Sequence, residues 1–253
     1  MTSQHERGAG SQEESHTLTL QIGENTDPLR IELPRGNIPA EAMLPALRVM
    51  TNAVIAHAIA TTQAKGRTIS CKPGCAACCR HLVLVSDIEA RVLADLVANM
   101  PEPRRSILRA RFAATQQRMA ETGLAEPADN AADVPVAQLH KLAYHYFKEW
   151  IDCPFLEDEQ CSIYADRPLA CRKVLVTSPA EFCVDPGDDR VIPLRVAPVG
   201  TAVLLVTSDE TPPRSTGVLL PYLLDWAAAH DEPGPRRGAD QWMQRFVERL
   251  ASC

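Results

Sequence analysis

Cysteine placement constrains this chain more than any other feature. Cys71-Lys-Pro-Gly-Cys75-Ala-Ala-Cys78-Cys79 sets four sulfurs within nine residues, and Cys153, Cys161, Cys171 and Cys183 follow in a second segment. The first sixteen residues lack the continuous apolar stretch of a secretory signal, and no run of about 18 uninterrupted apolar residues occurs. The expectation is a cytoplasmic protein, in a compartment that keeps thiols reduced. There, nine cysteines in 253 residues are better explained by metal ions than by disulfides, and the odd count argues against full pairing.

The local order of residues refines that reading. Pro73 and Gly74 supply a turn that folds Cys71 back toward Cys75. If Cys75 opens a helical turn, Cys78 and Cys79 stand at i+3 and i+4 on its face. Neighbouring side chains on a helix diverge by about 100°, however, and seldom wrap one tetrahedral ion. The Cys78-Cys79 pair is therefore expected to reach more than one metal. Two arrangements answer to that: two ions each in a four-thiolate shell, with or without a shared thiolate, or a preassembled iron–sulfur cluster.

In the second segment the acidic turn 157–160 is expected to fold Cys161 back beside Cys153. Pro168 suits the first turn of a helix capped by Asp166, which sets Cys171 near the helix N-terminus, where the dipole favours a thiolate. Arg167 and Arg172 flank that helix and are read as offsetting thiolate charge. Structural zinc in such a site contributes on the order of ten kcal/mol to folding and would clip together two distant stretches of chain.

The rest of the chain predicts a mainly helical α+β fold: a small N-terminal β-hairpin, and a cysteine-rich metal-binding loop region clipping two helical parts. Residues 1–16 read as a disordered tail and residues 17–253 as one α+β domain, with metal-binding segments 71–81 and 153–183. Leu18, Leu20 and Ile22, then Leu29, Ile31 and Leu33, alternate as the two strands of the hairpin. Helices are expected over Pro39–Lys65 with Pro45 delaying the start, from Ser86 to Met100 behind a Ser86/Glu89 capping box, over Pro103–Thr122, over Leu139–Trp150, over Val218–His230 and over Ala239–Leu250. Val199–Thr207 is expected to be a strand. The arginines of 103–122 read as a solvated face. A formal charge of -6 and a pI near 5.7 argue against a duplex nucleic acid partner, and no membrane partner is expected.

Cys75-Ala-Ala-Cys78-Cys79-Arg80, followed by Cys161-Ser-Ile-Tyr164-Ala-Asp-Arg167-Pro168-Leu-Ala-Cys171-Arg172 with Cys153 before and Cys183 after, resembles the bacterial family of zinc- or iron-chelating proteins named for its CxxCxxCC motif. These are also called YkgJ family cysteine cluster proteins. One departure is that three residues, not two, separate Cys71 from Cys75. The resemblance implies metal chelation by these cysteines, with zinc or iron as the ion or an iron–sulfur cluster in its place. The family also looks related to flagellin lysine methylases. The resemblance thus implies, as an alternative, an iron–sulfur-dependent protein lysine N-methyltransferase acting on a protein substrate.

Rival readings of the same residues fare less well. Cys71-x3-Cys75-x2-Cys78 satisfies the three-cysteine spacing of radical S-adenosylmethionine enzymes, but the strand–helix alternation of their usual barrel is missing, and Cys79, Cys161 and Cys171 are left over. No βαβ context supports Cys75 and Cys78 as a thiol-redox pair. His57 reads as a packing residue, His140 and His145 are five apart and share no helix face, and His81 alone is close enough to serve as an auxiliary ligand. Cys253 reads as a free thiol. The sequence names no catalytic residue and leaves a protein partner or protein substrate open.

Overall fold

The structure, a computed structural model, describes residues 15–20, 28–124, 131–185 and 187–252. It is mainly helical, with short antiparallel strand pairs. β1 (Ser15–Leu20) pairs with β2 (Leu29–Pro34), Leu18 opposite Ile31. Ile31 and Leu33 are buried while Arg30 and Glu32 are exposed, which is the one-sided hairpin the alternation predicts. Residues 1–14 of the expected tail, the hairpin loop 21–27 and Cys253 lie outside the described residues.

A 3-10 turn, Ala40–Met43, leads into α1 (Leu44–Ala64), whose Pro45 occupies the first turn where its missing N–H costs nothing. The helix stops at Gly66, φ +74°. Ala40–Ala64 is long and apolar enough to cross a membrane by length and composition. Here Leu44, Leu47 and Met50 are buried in the protein's own core, and Arg48 pairs with Asp166 at 2.8 Å. β4 (Leu84–Ser86) then opens α2 (Asp87–Ala98), followed by α3 (Arg104–Glu121) and α4 (Val136–Lys148). Four of the five arginines of α3 find acids: Arg104 and Arg111 on Glu157, Arg105 on Glu102, Arg118 on Glu149.

After the second cysteine segment come α6 (Val199–Leu205), β7 (Gly217–Leu219), α7 (Leu223–Ala229), β8 (Arg236–Gly238) and α8 (Ala239–Ser252), with α5 (Leu169–Lys173) inside that segment. β4 pairs with β7, and β8 with β3 (Asn37–Pro39). Two expectations fail here. Val199–Thr207 is a helix through Leu205, because Val199, Ala202, Val203 and Val206 fall at i, i+3, i+4 and i+7 and all four are buried. Its β-branched composition loses to the packing of that stripe. The helix expected from Val218 begins only at Leu223, since Val218 and Leu219 extend as partners of β4 and Pro221 turns the chain.

The buried side chains fall into two main clusters. One joins the hairpin, α1, α6, α8 and Leu169 of α5. The other joins α2, α3, α7 and the β4–β7 pair with Phe155 and Ile163, and Cys153 and Cys161 pack against it. The cysteines thus stand where chain from both clusters meets.

Candidate metal centre

The first cysteine segment is a pair of tight turns. The Cys75 amide donates to the Lys72 carbonyl at 3.1 Å, and Gly74 takes φ +86°, the proline-then-glycine signature of a type II turn. A Cβ at Gly74 would meet nothing within 4 Å, so glycine serves the backbone conformation there and not the space. Ala77–Arg80 continues as a 3-10 turn, tighter than the α-helical turn expected from Cys75. Beside it the Val176 amide donates to the Cys71 Sγ at 3.3 Å.

The second segment is stapled to the first. The Cys153 amide donates to the Cys79 carbonyl at 2.9 Å. β5 (Leu156–Glu157) and β6 (Gln160–Cys161) form a minimal hairpin that returns Cys161 toward Cys153, as the acidic turn predicts. Asp158 and Glu159 both take left-handed conformations, φ +47° and +55°, in a two-residue turn that ordinarily selects Asn-Gly. Arg80 holds that turn in place. Its guanidinium donates to both Glu159 oxygens at 3.0 and 2.6 Å, pairs with Asp152 at 2.9 Å and lies over the Trp150 ring, 4.6 Å from its centroid. Arg80 is 7% exposed, and its fork matches a carboxylate as a lysine could not.

The third placement comes from Glu89. Asp166 does not cap α5; it is taken by Arg48. The Leu169 amide instead donates to Glu89 Oε1 at 2.7 Å, while Glu89 Oε2 accepts from the Ser86 amide at 3.2 Å and hydroxyl at 3.0 Å. One carboxylate, 2% exposed, therefore closes the capping box of α2 and caps the helix that carries Cys171. Burial raises its carboxyl above the ordinary range, opposed by those amide bonds.

The eight cysteines are free thiols and half-buried. Cys75, Cys78, Cys79, Cys153, Cys161 and Cys171 line one cavity of about 370 Å³. Cys71 and Cys183 do not line it, but each is close enough to Cys75 and Cys78 to be felt electrostatically. Burial pushes Cys153 up to about 12 and raises Cys71, Cys161, Cys171 and Cys183. Cys79 is raised by its hydrogen bond with Cys78, and the same bond lowers Cys78 to about 7. Among the described residues no three His, Cys, Asp or Glu side chains are already disposed about one ion. The backbone brings the eight sulfurs into one region, and side-chain rotation remains to close any shell.

The donor set fits a thiophilic metal. Thiols this crowded cannot ionise together without a cation among them, and thiolate is the form that zinc and iron take up. Arg167 fits the charge-offsetting role: it lines the cavity, stacks 3.9 Å over Tyr164 and favours the thiolates of Cys71, Cys78 and Cys161. Arg172 does not. It turns away to donate to the carbonyls of Arg167 and Ala165 and to Asn52. His81 lines the same cavity with its ring against Phe147, 4.6 Å between centroids, and burial lowers its pKa. Arg80 and Glu159 are positioning residues that sequence reasoning missed, as is the contact of the capping-box residue Glu89 with Leu169; the Arg80 and Glu159 signals were an arginine directly after the metal motif and an acidic turn without glycine.

Residues 70–186 match a family profile described as "CxxCxxCC: Putative zinc- or iron-chelating domain", which covers under half of the chain. No curated protein and no solved structure matches.

Proposed function

We propose that this protein, whose residues 70–186 match the CxxCxxCC family profile, holds zinc or iron through the thiolates of Cys71, Cys75, Cys78, Cys79, Cys153, Cys161, Cys171 and Cys183. The observation that carries the reading is the gathering of eight free, half-buried thiols from two distant segments, pinned by Arg80–Glu159 and Glu89–Leu169. Such a centre forms and persists in a reducing compartment such as the cytoplasm. Bound metal would add to that pinning by tying the β5–β6 hairpin and α5 to the turn at 72–80. No contact among the described residues favours the lysine methylase alternative.

The test is anaerobic purification followed by metal analysis with optical and electron-spin spectra. Zinc gives a colourless, spin-silent protein, and iron–sulfur ligation gives a chromophore. Protein that binds neither metal in stoichiometric amount, with its thiols reduced, overturns the proposal.

A further inference from the structure

We infer that the eight cysteines divide into two metal centres of unequal lability: a core-anchored one on Cys79, Cys153, Cys161 and Cys171, and an exchangeable one on Cys71, Cys75, Cys78 and Cys183. The inference rests on the metal-binding reading above and assigns the ligands within it.

The division follows from how each sulfur is anchored. Cys153 and Cys161 pack against the core cluster that holds Phe155 and Ile163. Cys171 stands on α5, whose Leu169 is fully buried in the other cluster. Cys79 is tied to Cys153 by their backbone hydrogen bond of 2.9 Å. Freeing Cys153, Cys161 or Cys171 disturbs a hydrophobic core, and freeing Cys79 breaks its backbone bond to Cys153.

The other set is held by less: Cys71 by the Val176 amide at 3.3 Å and Cys75 by its turn and the buried neighbour Ala76. Cys71 and Cys75 flank Lys72, Pro73 and Gly74, all three exposed. Cys183 sits in a 3-10 turn, Ala180–Val184, that buries none of its residues. That turn packs against the one bearing Cys78. Cys78 and Cys183 also face a second cavity, of about 570 Å³, that no other cysteine lines, while Cys75 and Cys78 reach the first cavity as well. The adjacent Cys78-Cys79 pair is then the seam: one sulfur serves each centre, as two neighbours that diverge along a turn would. With four thiolates on each side, both centres match the tetrahedral preference of zinc.

An ion held by the weakly anchored set can be removed by opening 71–75 and 180–184 without unfolding the rest, since local opening costs less where few apolar contacts must break. The outer centre is built to give up or accept its ion, and the inner one to hold the fold.

The experiment uses full-length protein loaded with zinc under reducing conditions. Zinc content is measured, and release to a chromophoric chelator is followed in time. Two zinc ions per chain are expected, one leaving at least tenfold faster than the other. The double substitution Cys71→Ser/Cys183→Ser should retain one zinc, lose the fast phase only and keep the far-UV spectrum. Cys153→Ser/Cys171→Ser should lose the slow phase or fail to fold. One zinc in the wild type, two ions released at a single rate, or loss of both ions from the outer double variant overturns the division while leaving metal binding intact. Absence of any bound zinc or iron removes both readings.

Discussion

Replacing Glu89 by alanine tests whether one carboxylate connects the scaffold to the centre. In the folded protein its oxygens take the Leu169 amide at 2.7 Å, the Ser86 amide at 3.2 Å and the Ser86 hydroxyl at 3.0 Å, with the side chain 2% exposed. Alanine strands two buried amides, each at about 1–3 kcal/mol. Removing a buried carboxylate returns part of that, because its ionised form is disfavoured there. The net loss is about 3 kcal/mol, a large share of the ~5–15 kcal/mol that holds a domain together. Glutamine should fall between, since its carbonyl can still accept from Leu169 while its amide faces the Ser86 donors. Urea unfolding at fixed free zinc isolates the effect, because bound metal itself adds stability by mass action. Since Leu169 is two positions before Cys171, zinc affinity should fall together with stability. Glu248→Ala, which loses an exposed hydrogen bond from Gln244 at 2.9 Å, is the control, expected to cost under about 1 kcal/mol. An alanine variant at position 89 within 0.5 kcal/mol of wild type, as expected only for an idle surface residue, refutes the reasoning.

Three further outcomes follow from the site. Arg80→Lys keeps the charge but loses the two-pronged contact with Glu159, so zinc affinity should drop about tenfold with the helical content unchanged; chelator competition and circular dichroism measure both. Gly74→Ala places a Cβ at φ +86° in open space and should cost about 1–2 kcal/mol from backbone conformation alone, seen as a lower melting temperature and faster loss of zinc. Burial holds Cys153 up near 12 and raises Cys71, Cys161, Cys171 and Cys183, so these thiols keep their protons at neutral pH and the metal must displace them. Affinity should therefore fall as pH falls, by at least about tenfold between pH 7.5 and 6.5, and a pH-independent affinity would show that the ligands are not these thiols.

Local rules carried much of the sequence reading and failed where distant residues decide. The hairpin, α1, the Ser86–Glu89 box and the Pro73–Gly74 turn are each written in a few consecutive residues. Val199–Leu205 was misread because short apolar runs rich in valine suit either state, and only the packing of its stripe against α8 and α5 settles it. The cap of α5 was beyond local reasoning altogether, since its acceptor lies 80 residues earlier in the chain. The two cysteine segments were legible from spacing. Their division among anchors depends on which segments reach a core, and that is a property of the fold.

Charge completes the account of the centre and gives its last prediction. Two divalent ions on eight thiolates, as proposed, would leave roughly four negative charges in a partly enclosed site, to be offset nearby. Most neighbouring arginines are already committed: Arg48 to Asp166, Arg80 to Glu159 and Asp152, Arg172 to carbonyls and Asn52. Arg167 has no carboxylate partner among the described residues, and its Nε is buried without a hydrogen bond. Its guanidinium, 3.9 Å from the Tyr164 ring centroid, is the counter-charge that the proposed centre would use. Arg167→Gln should weaken zinc binding by about tenfold, ~1.4 kcal/mol, the scale of one close charge in an intermediate dielectric. Lys173 lines the same cavity and can compensate in part, so Arg167→Gln/Lys173→Met should exceed the sum of the two single effects. Arg172→Gln makes the comparison decisive. It should lower stability by breaking the α5 start, yet leave zinc affinity at fixed folded fraction near wild type, and an Arg172 effect on affinity larger than that of Arg167 would overturn this assignment of charge.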